Sequence, residues 1–481
     1  MSAVVASLVL VPLAAALLAA ISYRAPERSV DVIANVAVAV VLGLGFVLVG
    51  PVLNGANPAW ALGSDSPLGI SFRVDALSLL LLLVVAGGCL AASVYSISYM
   101  GSYTSKAKYY VLFLLMLAGM NMVLLGADVV NLYIGVEVAA IACYALVAYG
   151  LGREYLEASF KYQVLGTLGT LCLIGGIGLL YARAGSVSFV ALAEAGSVAG
   201  ISLPAVLLMT GFALKAAFVP FHAWLPDAHS TAPSPVSAVL SGVFIKVVGL
   251  YGVIRLLFLV FTPGTAYATA LLVLASLSII IGAVLALVQS DMKRLLAYCT
   301  VSQMGYVLLG LAIGTPLAIA AALFHLVNHA AFKELFFLGA GTVERQAGTR
   351  QISALGGLNS KMPVTGATSA VAFFSVIGMP PFNGFWSKLL IIVAAVQAGQ
   401  GAFAAVGAIG AVLTIGYFLR YERGVFFGTL PQSLKDVKEG PVAMLAPMVV
   451  LAAVCVILGL AFPWFLQTFL EPAAQAILPG A

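Results

Sequence analysis

Fourteen apolar runs, each long enough to cross a lipid bilayer as a helix, fill most of this 481-residue chain. At about 20 residues per crossing, they lie near 3–22, 32–52, 74–96, 109–126, 128–150, 160–182, 204–221, 240–261, 266–289, 294–313, 316–340, 364–395, 403–425 and 442–467. A chain with so many such runs can satisfy its backbone polar groups in lipid only as a helix bundle. Apolar residues make up 63% of the chain and charged ones 8%, so no soluble domain of ordinary size can be hidden in it. The expected fold class is an all-α polytopic membrane protein with 14 transmembrane helices. The first run has no basic segment before it and no convincing cleavage site, so it is read as a retained helix.

The basic residues support this count through the excess of lysine and arginine that marks cytoplasmic loops. Alternate loops hold Arg24 and Arg28, Lys106 and Lys108, Arg153 and Lys161, Lys293 and Arg294, then Arg345, Arg350 and Lys361, and finally Arg420, Arg423, Lys435 and Lys438. That is fifteen on one side, against Arg73, Arg183 and Arg255 on the other. The pattern predicts a multi-pass protein of the cell's inner (cytoplasmic) membrane with both termini on the non-cytoplasmic side. It also accounts for the net charge of +5 without an anionic partner. Five scattered cysteines, with no metal-ligand spacing, argue against disulfides, iron–sulfur clusters and structural zinc. No phosphate-binding loop, dinucleotide fingerprint, catalytic triad or nucleic-acid patch occurs, so no cofactor, metal or catalytic residue is expected.

The other four basic residues, Lys215, Lys246, Lys333 and Lys388, lie inside apolar runs. A lysine at mid-bilayer costs roughly 2.5–3.5 kcal/mol on insertion scales, so each needs a reason. Around the first two, an apolar helix bearing Lys215 breaks at Pro220, and a loop with His222, His229 and three further prolines leads to the helix bearing Lys246. Snorkelling to the surface is the plain alternative to a polar path. A related break follows later: VPFHAWL at 219–225 resembles PPFNGFW at 380–386, with Pro220 matching Pro381, and Lys388 follows the second copy. Five helices separate the seventh run from the twelfth, and an odd offset inverts one copy relative to the other, the plan of many transporters.

Glu137 sits in the fifth run with apolar neighbours on both sides, so it must pair with a cation or take up a proton. Lys215, in the same half of the chain, is the expected partner, and a purely structural ion pair is the alternative. His325, His329 and Lys333 follow at spacings of four and share one helical face, which favours a hydrated proton relay over a metal site lacking a third ligand. Glu334 points to another side, so its pairing with Lys333 is not assured. Tyr144, Ser302 and Tyr306 could bridge gaps in a water chain, while Asp291, Lys293 and Arg294 open the tenth helix as anchoring charges.

The motifs PFHAWLPDAH, SGVFIKVVGLY, DMKRLLAYCTVSQMGY, FHLVNHAAFK and GMPPFNGFWSK together resemble the antiporter-like subunits of respiratory complex I, of Mrp-type cation/proton antiporters (the D-type subunit) and of membrane-bound hydrogenases. The likeness runs from about residue 70 to residue 425. It implies helices 1–3 over 1–108, a first five-helix repeat over 109–261, an inverted second repeat over 262–427, and a C-terminal loop and helix over 428–481. It also implies that Glu137 and Lys215 form the pair of a first half-channel, with Lys246 connecting it to a central stripe of His325, His329 and Lys333. Lys388 is then the terminal lysine toward the outer exit. His222, His229, Pro220, Pro381, Asp291 and Lys293 support this path.

The function this implies is proton translocation by a non-catalytic subunit of a redox-driven pump or an Mrp-type antiporter, alongside other membrane subunits. The alternative is a self-sufficient secondary sodium/proton exchanger. Glu137 is the one carboxylate that the sequence places clearly inside the membrane, and this favours protons over sodium as cargo. A scaffold whose charges only fix helix packing is the third possibility.

Overall fold

The computed structural model describes residues 1–63, 69–103, 105–194, 202–261 and 265–478. Residues 262–264, where the second repeat is expected to begin, lie outside the described residues. The chain is mainly helical, and among the described residues eleven helices are long and apolar enough to cross a membrane. The first six long helices are α1 (Ser2–Ile21), α2 (Glu27–Leu53), α3 (Ala76–Tyr99), α4 (Lys106–Leu125), α5 (Val129–Val147) and α6 (Arg153–Ala184). Then come the short α7 (Phe189–Glu194), α8 (Ser202–Ala216), α9 (Trp224–Thr231) and the long α10 (Ser234–Val260). The second half contains α11 (Thr265–Leu287), α12 (Met292–Ile313), α13 (Pro316–Ala347), α14 (Pro363–Ile377), α15 (Asn383–Gln397), α16 (Gly401–Val425) and α17 (Val442–Leu460).

Aspartates start three of these helices. Asp75, Asp128 and Asp291 each accept a backbone N–H three residues on, at 2.9, 2.7 and 3.0 Å, satisfying a donor that a helix start leaves orphaned. Between α2 and α3 lies a small hairpin, β1 (Ala59–Leu62) paired antiparallel with β2 (Ile70–Arg73), with Ala59 opposite Arg73. Strands this short carry too little period-2 pattern to stand out beside the long apolar runs.

Burial sorts the helices into an inner and an outer set. From Ala318 to Val343 α13 is buried on every face, so its polar residues meet protein rather than lipid. Helix α10 is nearly as enclosed, and three stretches of it (Leu240–Phe244, Lys246–Tyr251 and Leu256–Val260) have widened π-type turns, a feature often found at functional sites. Outer helices such as α6 expose Leu168, Leu171 and Ile174, apolar side chains suited to lipid.

Both expected helix breaks occur. Helix α8 ends at Ala216 and Ala217 turns left-handed at φ 56°. The freed carbonyls are satisfied inside protein: Phe218 N–H donates to Ala213 at 3.2 Å and Trp224 Nε1–H to Leu214 at 3.0 Å. The segment after Pro220, expected to be a loop, forms helix α9, and α10 begins at Ser234 rather than near 240. Ala232 ends α9 by donating to Ala228, and Pro235 stands in the first turn of α10, where its missing N–H does no harm. The second break lies between α14 and α15, at Gly378 with φ 81°.

Candidate functional site

The first cluster is assembled by close helix crossings. Gly169 on α6 faces the Gly211 carbonyl on α8, where an added Cβ would stand 3.1 Å from that oxygen. Without side chains at these positions the backbones approach closely, as small residues permit in membranes. The approach places Thr170 beside Lys215, and α5 contributes Glu137. Lys215 Nζ lies 3.2 Å from Glu137 Oε1, Thr170 Oγ1 donates to the same oxygen at 2.7 Å, and Lys215 donates to Thr170 at 3.2 Å. The sequence reading thus placed the glutamate and the lysine together but missed Thr170, one hydroxyl among several in a glycine-rich run.

Helix α8 then meets α10. A Cβ at Gly249 would lie 2.6 Å from the Ala216 nitrogen and Cα, so the two backbones touch one residue beyond Lys215 and one turn beyond Lys246. Lys246 is buried and donates to its own helix, at the Ser241 carbonyl 2.6 Å away, while the Ser241 hydroxyl bonds Thr300 at 2.7 Å.

The central stripe lies on α13. Lys333 donates to the Leu296 carbonyl at 2.7 Å and stands 5.7 Å from the centre of the Phe418 ring. His325 Nδ1 is 2.9 Å from Ser387 Oγ of α15, but His325 Nε2 and both His329 nitrogens have no hydrogen-bond partner. His229 is buried, stacks on Phe337 at 5.0 Å and also has both nitrogens unpartnered. Lys246 is within electrostatic reach of Lys333 and Glu334, His329 of Lys246, Lys333, His325 and His229, and His325 of Lys388.

Lys388, on α15, closes the series. It donates to the Val376 carbonyl at 2.7 Å, across the break in the interrupted helix, and stands 5.2 Å from the Tyr306 ring centre. Pro220 and Pro381 lie at the breaks themselves. His222 is only partly buried; its Nδ1 has no hydrogen-bond partner, and its ring centre lies 6.4 Å from that of Tyr298. Tyr306 donates to the Gly407 carbonyl at 2.6 Å and Ser302 to Ile279 at 2.9 Å, so both hydroxyl protons serve helix carbonyls.

Asp291 caps α12 and holds Arg350 at 2.5 Å. Lys293 is more than an anchor: it is buried, donates to the Ala232 carbonyl at 2.6 Å and lies 3.9 Å from Glu344. Around it, Asp227 pairs with Arg294 at 3.0 Å and Lys161 at 3.1 Å, tying several loops together at one end of the bundle. Beside the half-buried Glu137, three helix-borne carboxyls are buried among the described residues: Asp31 on α2, which accepts from Lys106 and Tyr110 at 3.0 Å each, Glu422 and Glu334. Ser369 donates to Glu422 at 2.6 Å, while Glu334 on α13 has no partner for either oxygen. Glu137, which the sequence singles out as the one carboxylate clearly inside the membrane, is therefore not the only helix-borne carboxyl that the bundle encloses. Among the described residues no group of three or more His, Cys, Asp or Glu side chains stands in a metal-holding arrangement.

The sequence matches the family model described as NADH:quinone oxidoreductase/Mrp antiporter, TM, over residues 126–414. Residues 60–110 match the N-terminus of NADH-ubiquinone oxidoreductase (complex I) chain 5. The NADH-quinone oxidoreductase subunit N of Desulforudis audaxviator is 34% identical, with 98% of each chain covered. The D-type subunit of the Na(+)/H(+) antiporter of Alkalihalophilus pseudofirmus is 30% identical over 86% of this chain and 85% of its own. A chain in the structure of the Mrp complex from Dietzia sp. superposes with a TM-score of 0.92 at 27% identity, over 100% of this chain and 98% of that one.

Proposed function

Because the chain belongs to the NADH:quinone oxidoreductase/Mrp antiporter transmembrane family, we propose that it is a proton-translocating subunit of a multisubunit membrane complex, either a redox-driven pump or an Mrp-type antiporter. The observation that carries this reading is the succession of ionisable groups enclosed by the bundle, from the half-buried Glu137 and the buried Lys215 through Lys246, Lys333 and the histidines to Lys388. Lys215 holds a proton while Glu137 and Thr170 face it. When the pair opens, the ammonium loses the carboxylate that stabilises its charge and passes the proton toward Lys246 across the Ala216–Gly249 crossing. The unpartnered nitrogens of His325, His329 and His229 are buried polar atoms of the kind that water satisfies, which suits them to relay protons along α13. Lys388 is the last carrier before the outer side.

The same reading takes the chain as fourteen spans in two inverted five-helix repeats, over 109–261 and 262–427, in the inner membrane with both termini outside the cytoplasm. Three observations support it. Three helices shorter than a full crossing (Leu203–Ala216, Pro363–Ile377 and Asn383–Gln397) flank the two breaks. Helices α4 and α5 cross at Gly119 and Gly135, and α11 and α12 cross likewise at Gly282 and Gly305, so each repeat opens with a glycine-tightened pair. Lys161 and Arg294, from loops expected on the cytoplasmic side, share Asp227, and Arg350, from a third such loop, pairs with Asp291, which also accepts the Arg294 backbone N–H.

The test is Lys215→Ala in the intact complex, in native membrane vesicles energised by the reaction of that complex. Proton movement is expected to cease while the subunit stays assembled; undiminished movement overturns the reading. Mass spectrometry of the co-purified subunits identifies the complex, and sodium/proton exchange by this chain alone in proteoliposomes would favour the self-sufficient exchanger.

A further inference from the structure

A cavity of about 600 Å³ opens on the flank of the bundle between α2, α3, α13 and α17, lined by side chains such as Phe46, Leu83, Val327, Leu451 and Phe465. Among the described residues that line it, Glu334 alone is ionisable. Glu334 is 1% exposed and neither of its oxygens has a hydrogen-bond donor. Its carboxyl is housed by two glycines: an added Cβ at Gly88 on α3 or at Gly242 on α10 would lie 2.8 Å from Glu334 Cδ. Gly242 is one helical turn before Lys246, and Glu334 is within electrostatic reach of that lysine and of Cys89.

An ionised carboxyl without a donor is costly in a low-dielectric interior, and so is a lone ammonium. Lys246 has one carbonyl bond and no ion pair among the described residues. The two groups relieve each other when they change charge together.

We propose that Glu334 is a further proton-carrying residue, exchanging a proton with Lys246 at the floor of this cavity. The inference rests on the proton-translocation reading above. In the exchange, the carboxylic O–H bond breaks as an N–H bond forms on the lysine amine, giving carboxylate and ammonium; the reverse step restores both neutral groups. Net charge between α10 and α13 stays constant, so the proton crosses from one helix to the other without an isolated buried charge. The adjacent Lys333 cannot do this, because its ammonium is turned to the Leu296 carbonyl instead.

The test compares Glu334→Gln with Lys215→Ala in the intact complex. Glu334→Gln, which keeps the side-chain volume, is expected to assemble and to slow proton movement by about tenfold or more, as for a lost acid–base group. If Lys215→Ala stops proton movement and Glu334→Gln runs at the wild-type rate, this inference falls and the general reading stands. If neither variant slows it, both fall.

A second measurement covers a variant that fails to assemble. Dicyclohexylcarbodiimide, an apolar reagent suited to this cavity, adds a protonated carboxyl across its C=N bond, and the adduct rearranges to a stable N-acylurea. Peptide mapping of the wild-type complex in membranes is expected to find the adduct on Glu334. Labelling is expected to be faster in Lys246→Met, where the carboxyl has no amine to which it can give its proton. Absence of label on Glu334, or an unchanged rate in Lys246→Met, overturns the proposal.

Discussion

Replacing Lys215 by Met and Glu137 by Gln, singly and together, separates what their ion pair does for stability from what it does for transport. Two unit charges 3.2 Å apart attract by about 5 kcal/mol at an effective dielectric of about 20. The Glu137 side chain keeps 23% of its surface exposed and the Lys215 side chain 4%, so water screens part of that attraction. Lys215→Met leaves Glu137 with the Thr170 hydroxyl alone, and the expected destabilisation is about 3 kcal/mol, the low end for breaking a buried pair. Glu137→Gln keeps the volume and a hydrogen bond but strands the ammonium. The double variant strands neither, so it is expected to lose less than the sum of the singles, with a coupling of about 2–3 kcal/mol.

Reversible unfolding of the subunit in mixed micelles reads the stability cycle, and proton uptake by energised vesicles reads transport. All three variants are expected to be inactive, the double one despite its recovered stability. Additive singles would show that the pair is not coupled in the folded protein. Transport by the double variant would show that the pair is a packing element, and the proposed role of Lys215 would fail.

Two further expectations follow from other contacts. Gly249→Val puts a side chain against the Ala216 backbone and should destabilise the fold by about 1–3 kcal/mol while slowing proton movement between the two lysine-bearing helices; Gly43→Ala, whose Cβ meets nothing within 4 Å, should change neither. At the N-terminal end of α3, burial pushes the Asp75 carboxyl up, but Arg255 at 2.7 Å and the Ser78 donors outweigh it and hold the group below the usual carboxylate range. Its contribution to stability is therefore present above the unfolded value of about 3.9 and is lost as pH falls below it. Asp75→Asn should accordingly be less stable than wild type at neutral pH, with the gap closing below about pH 4 in unfolding measurements.

Much of the architecture can be read from the chain because lipid leaves few choices. Long apolar runs in lipid must be helices, because each segment has to satisfy its own backbone polar groups. Glu137, Lys215, Lys246 and Lys388 stand out for the same reason: a charge inside an apolar run is conspicuous wherever its partner lies. Pro220 and Pro381 mark the two breaks because proline cannot continue the hydrogen-bond ladder.

What the sequence left open depends on neighbours distant in the chain. Thr170 becomes a ligand of the ion pair only because Gly169 and Gly211 let α6 and α8 approach. Lys293 looks like a loop anchor until the fold buries it under the Ala232 carbonyl. The segment after Pro220 reads as a loop from its prolines, yet packing forms α9 there and stacks His229 on Phe337. Glu334 follows Lys333 directly, and helical periodicity says only that they diverge. Where each goes is decided by Leu296 on one side and by the gaps at Gly88 and Gly242 on the other. The chain by itself determines which groups are too costly to leave in lipid, because that cost depends on residue type and run length alone. Which buried group meets which is decided by helix crossings, where one missing Cβ sets whether two backbones can touch.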